Sequence, residues 1–206
     1  MRLAAAAVVL LAGVGCSTDE QPQATPQEVV TGWLDALAMG EGAADYVVPG
    51  QVDVLAAIER RSEAAGILGQ GLSSQAEADY WGAFADSTES ILGASIDGLE
   101  VGPVATAEIE GSDFAYVEVL GSERAAIVII LEGGGPWRID MVATVGTGLV
   151  RPLRSMIEDV GIDAPGVVAR RSGLAASLRA GLEDPTGSLP PEFRGDVAEL
   201  IALLED

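Results

Sequence analysis

Tyr46, Tyr80, Asp86 and Asp140 are the candidates considered for proton transfer, by residue type alone. A carboxylate and a phenol work as acid and base only when burial and neighbours move their pKa values toward the working pH. No spacing singles out a pair among the four. They read as surface carboxylates and packed tyrosines, and no catalytic residue is assigned. Five aromatic residues, Trp33, Tyr80, Trp81, Phe84 and Trp137, are the candidates for lining a ligand pocket. At helical and strand periods the same residues also serve as core. The run Gly133-Gly134-Gly135 has the composition of a phosphate loop, but it leads into a strand and carries no lysine, so it reads as a turn. The acidic residues form no D-x-D-x-D-G calcium loop, and no metal or cofactor is expected. Arg60-Arg61 and Arg170-Arg171 read as solvated or paired helix faces.

Composition narrows the chemistry further. The 206 residues include 32 acidic and 11 basic side chains, a formal charge of −21, and the chain has no Lys, Asn or His. That excludes histidine catalysis, a lysine Schiff base and a P-loop lysine. Nucleic acid is not an expected partner, because binding its backbone requires net positive charge. A single cysteine excludes an internal disulfide framework and a cysteine-based zinc site. Apolar residues make up 49% of the chain, enough for a globular body at this length. Its surface should be anionic, soluble and self-repelling.

The amino terminus has a different character. Met1 and Arg2 are followed by an uncharged, apolar or small stretch from Leu3 to Gly15, then Cys16 and the polar Ser17-Thr18-Asp19-Glu20. A positive start, an apolar stretch and small residues before a cut describe a secretory signal. As a helix, residues 3–15 would reach ~20 Å, short of the ~30 Å hydrocarbon core, so a permanent transmembrane span is the weaker reading. The placement of the only cysteine resembles a bacterial lipoprotein signal. In that family a peptidase cuts before the cysteine, whose thiol carries diacylglycerol and whose new amine is usually acylated. The resemblance implies a signal peptide over 1–15 and a lipid-bearing Cys16. Val14 and Gly15 fit the family pattern, whereas Gly13 stands where a leucine is usual. Two alternatives stand beside it: a non-lipoprotein cut after Gly15, and an uncleaved anchor. Residues 16–24 offer almost nothing to bury and read as a tether. An anionic body on that tether would be pushed away from anionic headgroups.

Beyond the tether, Thr25-Pro26-Gln27-Glu28 is a capping box with proline at the first helical position, and Gly40 sits where a C-cap glycine belongs. The spacing predicts helices over 26–39, 51–68 and 75–92, the last capped by Ser74, with a short turn at 43–46. From Ser95 the period changes to two. Strands are predicted over 104–110 and 114–120 around the turn Gly111-Ser112-Asp113, then over 125–132 and 137–142, with 95–101 as a further edge strand. Helices over 149–160, 164–183 (capped by Asp163) and 191–205 complete the chain. The expected class is α+β, with amino-terminal helices packed on a curved antiparallel sheet of four or five strands and a carboxy-terminal helical extension.

Two segments, residues 25–37 (from Thr25-Pro26-Gln27-Glu28 to Trp33-Leu34-Asp35-Ala36-Leu37) and residues 134–140 (Gly134-Gly135-Pro136-Trp137-Arg138-Ile139-Asp140), resemble the first helix and last strand of the nuclear transport factor 2-like (cystatin-like) superfamily. The resemblance covers roughly 25–146 and leaves 147–206 as an extension. It implies a sheet wrapped around helices with a cone-shaped pocket. The superfamily hosts isomerases, dehydratases, toxin-immunity proteins and interaction modules, so fold alone does not assign a function.

Ala125 to Leu131 is apolar on both faces, so both should be covered. The amino-terminal helices cover one. Either the extension packs on the other, leaving a monomer, or a second copy does, giving a homodimer. Residues 17–146 hold 4 Arg and 22 acids, whereas 147–206 hold 6 Arg and 10 acids, a division that suits internal docking. The functional expectation is a membrane-anchored envelope lipoprotein, held by its lipid and acting on an unknown envelope protein as a non-enzymatic interaction or scaffold module. A carrier of small apolar ligands is the alternative, and an isomerase or dehydratase a third.

Overall fold

The computed structural model describes residues 23–132 and 135–206. Cys16, the signal segment and most of the tether lie outside the described residues, as do Gly133 and Gly134. The fold is α+β: helices, then a four-stranded antiparallel sheet in the order β1-β2-β3-β4, then helices.

Helix α1 (Pro26–Met39) starts at the capping box, where the Thr25 hydroxyl accepts from the Glu28 N–H and the Glu28 carboxylate accepts from the Thr25 N–H at 2.7 Å. The Thr25 N–H and hydroxyl, both donating to it, hold the Glu28 carboxyl below its usual range. Gly40 ends the helix in the left-handed conformation. The predicted second helix is broken in two. Helix α2 (Gln51–Glu59) stops at Arg60, whose backbone leaves helical geometry, and α3 (Ala64–Gln70) resumes after a 3-10 turn. Helix α4 (Ser74–Leu92) is capped by Ser73, one residue earlier than expected.

The edge strand expected at 95–101 is instead a 3-10 turn over Ile96–Gly98 leading directly into β1 (Glu100–Ile109). A bulge at Gly102-Pro103 sets two residues against Glu118 and bends the strand. Strand β2 (Ser112–Leu120) follows a tighter turn than predicted. Ile109 pairs with Ser112, so the turn is Glu110-Gly111, both with positive φ, as a type I′ hairpin requires. Strand β3 (Ala125–Glu132) pairs with β2 from Asp113 to Leu120. Strand β4 is only Arg138–Ile139, not 137–142. Asp140 takes the chain out of the sheet by capping α5 (Met141–Val145), accepting from the Ala143 N–H at 2.8 Å.

The chain then forms α6 (Val150–Val160), α7 (Pro165–Val168), α8 (Arg171–Leu182) and α9 (Pro191–Glu205). The helix expected over 164–183 is therefore divided at Ala169-Arg170, and its first segment begins at Pro165 with Ala164, not Asp163, at the cap position.

Two cores lie on the two sheet faces. Ala115, Val117, Val119, Val128 and Ile130 face a large core shared by the amino-terminal helices and α6, α8 and α9. Phe114, Tyr116 and Ile129 face the other way, onto Ala143 of α5 and Ala180 of α8. Among the described residues, three ion pairs join the extension to the body: Arg170 with Asp53, Arg179 with Glu110, and Asp159 with Arg61.

Candidate functional site

The aromatic candidates divide. Trp33 from α1 meets Trp81 edge-on at 6.5 Å and Phe84 at 5.7 Å, both from α4. Tyr80 stacks on Phe84 at 6.3 Å and meets Trp81 edge-on at 5.5 Å. Residues 80, 81 and 84 fall on one side of α4, which is why a single helix face delivers all three. These rings pack on each other at ordinary aromatic distances. The indole N–H groups of Trp33 and Trp81 are buried with no hydrogen-bond partner among the described residues. Burial, with Glu59 nearby, pushes the Tyr80 phenol well above its ordinary value, so it stays neutral. Trp137 joins none of these rings; it is half-buried just ahead of β4 and packs on the edge of the large core.

The proton-transfer candidates are not brought together either. Tyr46, at the end of the 3-10 turn Ala43–Tyr46, packs its ring against Gly32 of α1, where a Cβ would stand 2.8 Å from it. Asp86 is exposed on α4. Asp140 is 1% exposed and sits in a polar junction that the sequence patterns did not reveal. Its Oδ1 accepts from Gln51 Nε2 at 2.8 Å and from the Ala143 N–H, and its Oδ2 accepts from the Ser177 hydroxyl at 2.7 Å. Gln51 Nε2 also donates to Ser177 at 3.1 Å, and Gln51 Oε1 accepts from the Val142 N–H at 3.2 Å. The donors favour an ionised carboxylate, yet burial outweighs them and raises the Asp140 pKa. This junction ties α2, α5 and α8 at one point. Each Asp140 oxygen is occupied by protein donors, which suits a structural hub better than an acid awaiting substrate.

The openings in the surface lie elsewhere. A groove of about 530 Å³ runs beside Val47, Asp53, Leu72 and Arg138. A second, of about 260 Å³, lies between the Val48-Pro49-Gly50 loop and the start of α8. None of the five aromatic candidates lines either of these. Two of the charged groups there are already engaged: Asp53 accepts from the Leu72 N–H at 3.0 Å and pairs with Arg170, and Arg138 donates to the Asp45 carbonyl at 2.6 Å. Among the described residues, no group of His, Cys, Asp and Glu is arranged to hold a metal ion, and no helix is long and apolar enough to cross a membrane.

Compared with known proteins, the chain matches no family model, no curated protein and no solved structure.

Proposed function

We propose that this protein is a lipid-anchored, non-enzymatic interaction module of a bacterial envelope, with Cys16 bearing the lipid and the folded body held outside the cytoplasmic membrane. The observation that supports the non-enzymatic part is that Trp33, Tyr80, Trp81 and Phe84 pack on one another between α1 and α4 and line neither of the two grooves described above. The engagement of Asp140 by Gln51, Ser177 and Ala143 supports the same reading. Helices ahead of an antiparallel meander support a nuclear transport factor 2-like body, although the last strand is cut to two residues. Coverage of Phe114, Tyr116 and Ile129 by α5 and α8 supports a monomer. The anchoring part rests on the sequence at Cys16.

One observation favours the carrier reading: the two unpartnered indole N–H groups in the aromatic cluster. Native mass spectrometry of protein extracted from membranes in mild detergent, paired with crosslinking in intact cells, separates the two. The interaction module gives reproducible protein adducts and no retained small molecule. A carrier gives a stoichiometric small apolar ligand.

A further inference from the structure

Among the described residues, strand β1 is at the end of the sheet, with β2 as its only strand neighbour. Register identifies which of its backbone groups are left over. Ile109 and Ser112 close a two-residue hairpin, so they are a hydrogen-bonded pair, and such pairs alternate along an antiparallel ladder. Ala107 and Ala105 are therefore bonded to β2, while Val104, Thr106 and Glu108 aim their N–H and C=O groups outward. No backbone group of residues 100–109 bonds to anything beyond β2 among the described residues. Natural edges are blunted by proline, bulges, lysine or a covering element. Here Gly102-Pro103 supplies a bulge and a proline for the first part of β1, and residues 104–109 carry neither proline nor lysine.

The open edge has a hollow on each side. On the helix-covered face, a cavity of about 470 Å³ places Asp35, Asp97 and Glu100 around Leu34 and Leu99. On the other face, one of about 200 Å³ lies over Ala105 and Ile127, with Glu118 at its rim. Four of these carboxylates gather at the bulged start of β1, Glu108 stands near its other end, and none of the five is in an ion pair among the described residues. A second copy would bring the same acids and a further −21 charge.

We propose that the β1 edge at Val104–Glu108 is a docking strand for an extended segment of another polypeptide, carrying apolar side chains flanked by arginine or lysine. The segment pairs with the outward groups of Val104, Thr106 and Glu108; its basic end beside the bulge meets Asp35, Asp97, Glu100 and Glu118, and its other basic end meets Glu108. This rests on the reading of the protein as an interaction module and names the surface it uses.

The test adds the capped peptide Arg-Val-Thr-Val-Thr-Val-Arg to the full chain, purified in detergent, and follows amide hydrogen exchange. The expected result is protection of residues 104–108 by at least about tenfold, as fast-exchanging edge amides become paired. An analogue N-methylated at alternate residues should give no protection, and one with glutamate at both ends should bind at least about tenfold more weakly. Thr106→Pro removes one outward N–H, which an edge strand tolerates, and should abolish protection. The N-methylated analogue keeps the test decisive if that variant fails to fold. Absent protection, equal protection by the N-methylated peptide, or a free chain that is already a dimer through β1 would each overturn the proposal. Because the probe is added to purified protein, the result is independent of the lipid and of any cellular partner. Failure of anchoring at Cys16 would leave it standing.

Discussion

The Tyr116 hydroxyl donates to the Ala180 carbonyl at 2.9 Å, joining the second face of β2 to the last turn of α8. Ala180 is among the final four carbonyls of that helix, which have no partner within it. Burial raises the phenol's pKa and keeps it a donor. Tyr116→Phe keeps the ring and strands a buried carbonyl, so it should cost ~1–3 kcal/mol in chemical unfolding and speed exchange in α8 before the rest of the fold.

The Asp140 junction gives a pH dependence. Unfolded aspartate titrates near about 3.9, and burial sets the folded value higher. Between the two, the folded chain holds the extra proton, so this group's contribution to stability falls as pH rises across that window. Asp140→Asn does not titrate. In urea titrations at successive pH values, wild type should therefore lose ground to Asp140→Asn as pH increases. A gap that stays constant or moves the other way would show that the donors outweigh burial.

Ser177→Ala removes a donor to Asp140 Oδ2 and an acceptor from Gln51, both buried. A loss of ~1–3 kcal/mol is expected. Because Ser177 is on α8, limited proteolysis should show earlier cleavage in 147–206 than in the sheet.

Glu110 holds φ at +54° in the hairpin turn, a conformation that disfavours residues with a Cβ other than asparagine or aspartate. Its contact with Arg179 is on an exposed carboxylate and adds little in water. Glu110→Asn should raise stability by about 1 kcal/mol, read as a higher melting temperature.

Gly121, in the β2–β3 turn, lies against the end of α4. A Cβ there would overlap the Leu92 carbonyl oxygen and stand 2.7 Å from Leu92 Cβ. Gly121→Ala should cost ~1–3 kcal/mol through forced backbone movement, whereas Gly82→Ala on the open face of α4 should be neutral or stabilising.

Much of this architecture was readable locally. The capping box at Thr25 and Glu28, the glycine stop at Gly40 and the two-faced apolar run of β3 each declare themselves within a few residues. Where the structure departs from the local pattern, contacts distant in sequence or unmarked by glycine and proline decide the outcome. Trp137 to Val142 alternates like a strand, yet Asp140 finds a better partner in the Ala143 N–H and starts a helix. Arg60 and Arg170 carry no glycine or proline to announce a break. The Gln51–Ser177 bond spans 126 positions, and no local pattern encodes it. Of the site candidates, spacing delivered Tyr80, Trp81 and Phe84 to one face of α4, but only tertiary packing left Trp137 outside their cluster.

The most direct test of the account is the intact mass of the protein extracted from membranes of cells expressing the full chain. The predicted species begins at Cys16 and carries diacylglycerol on its sulfur together with a fatty acyl group on its new amine. A chain beginning at any other residue, or beginning at Cys16 with no lipid attached, would contradict it.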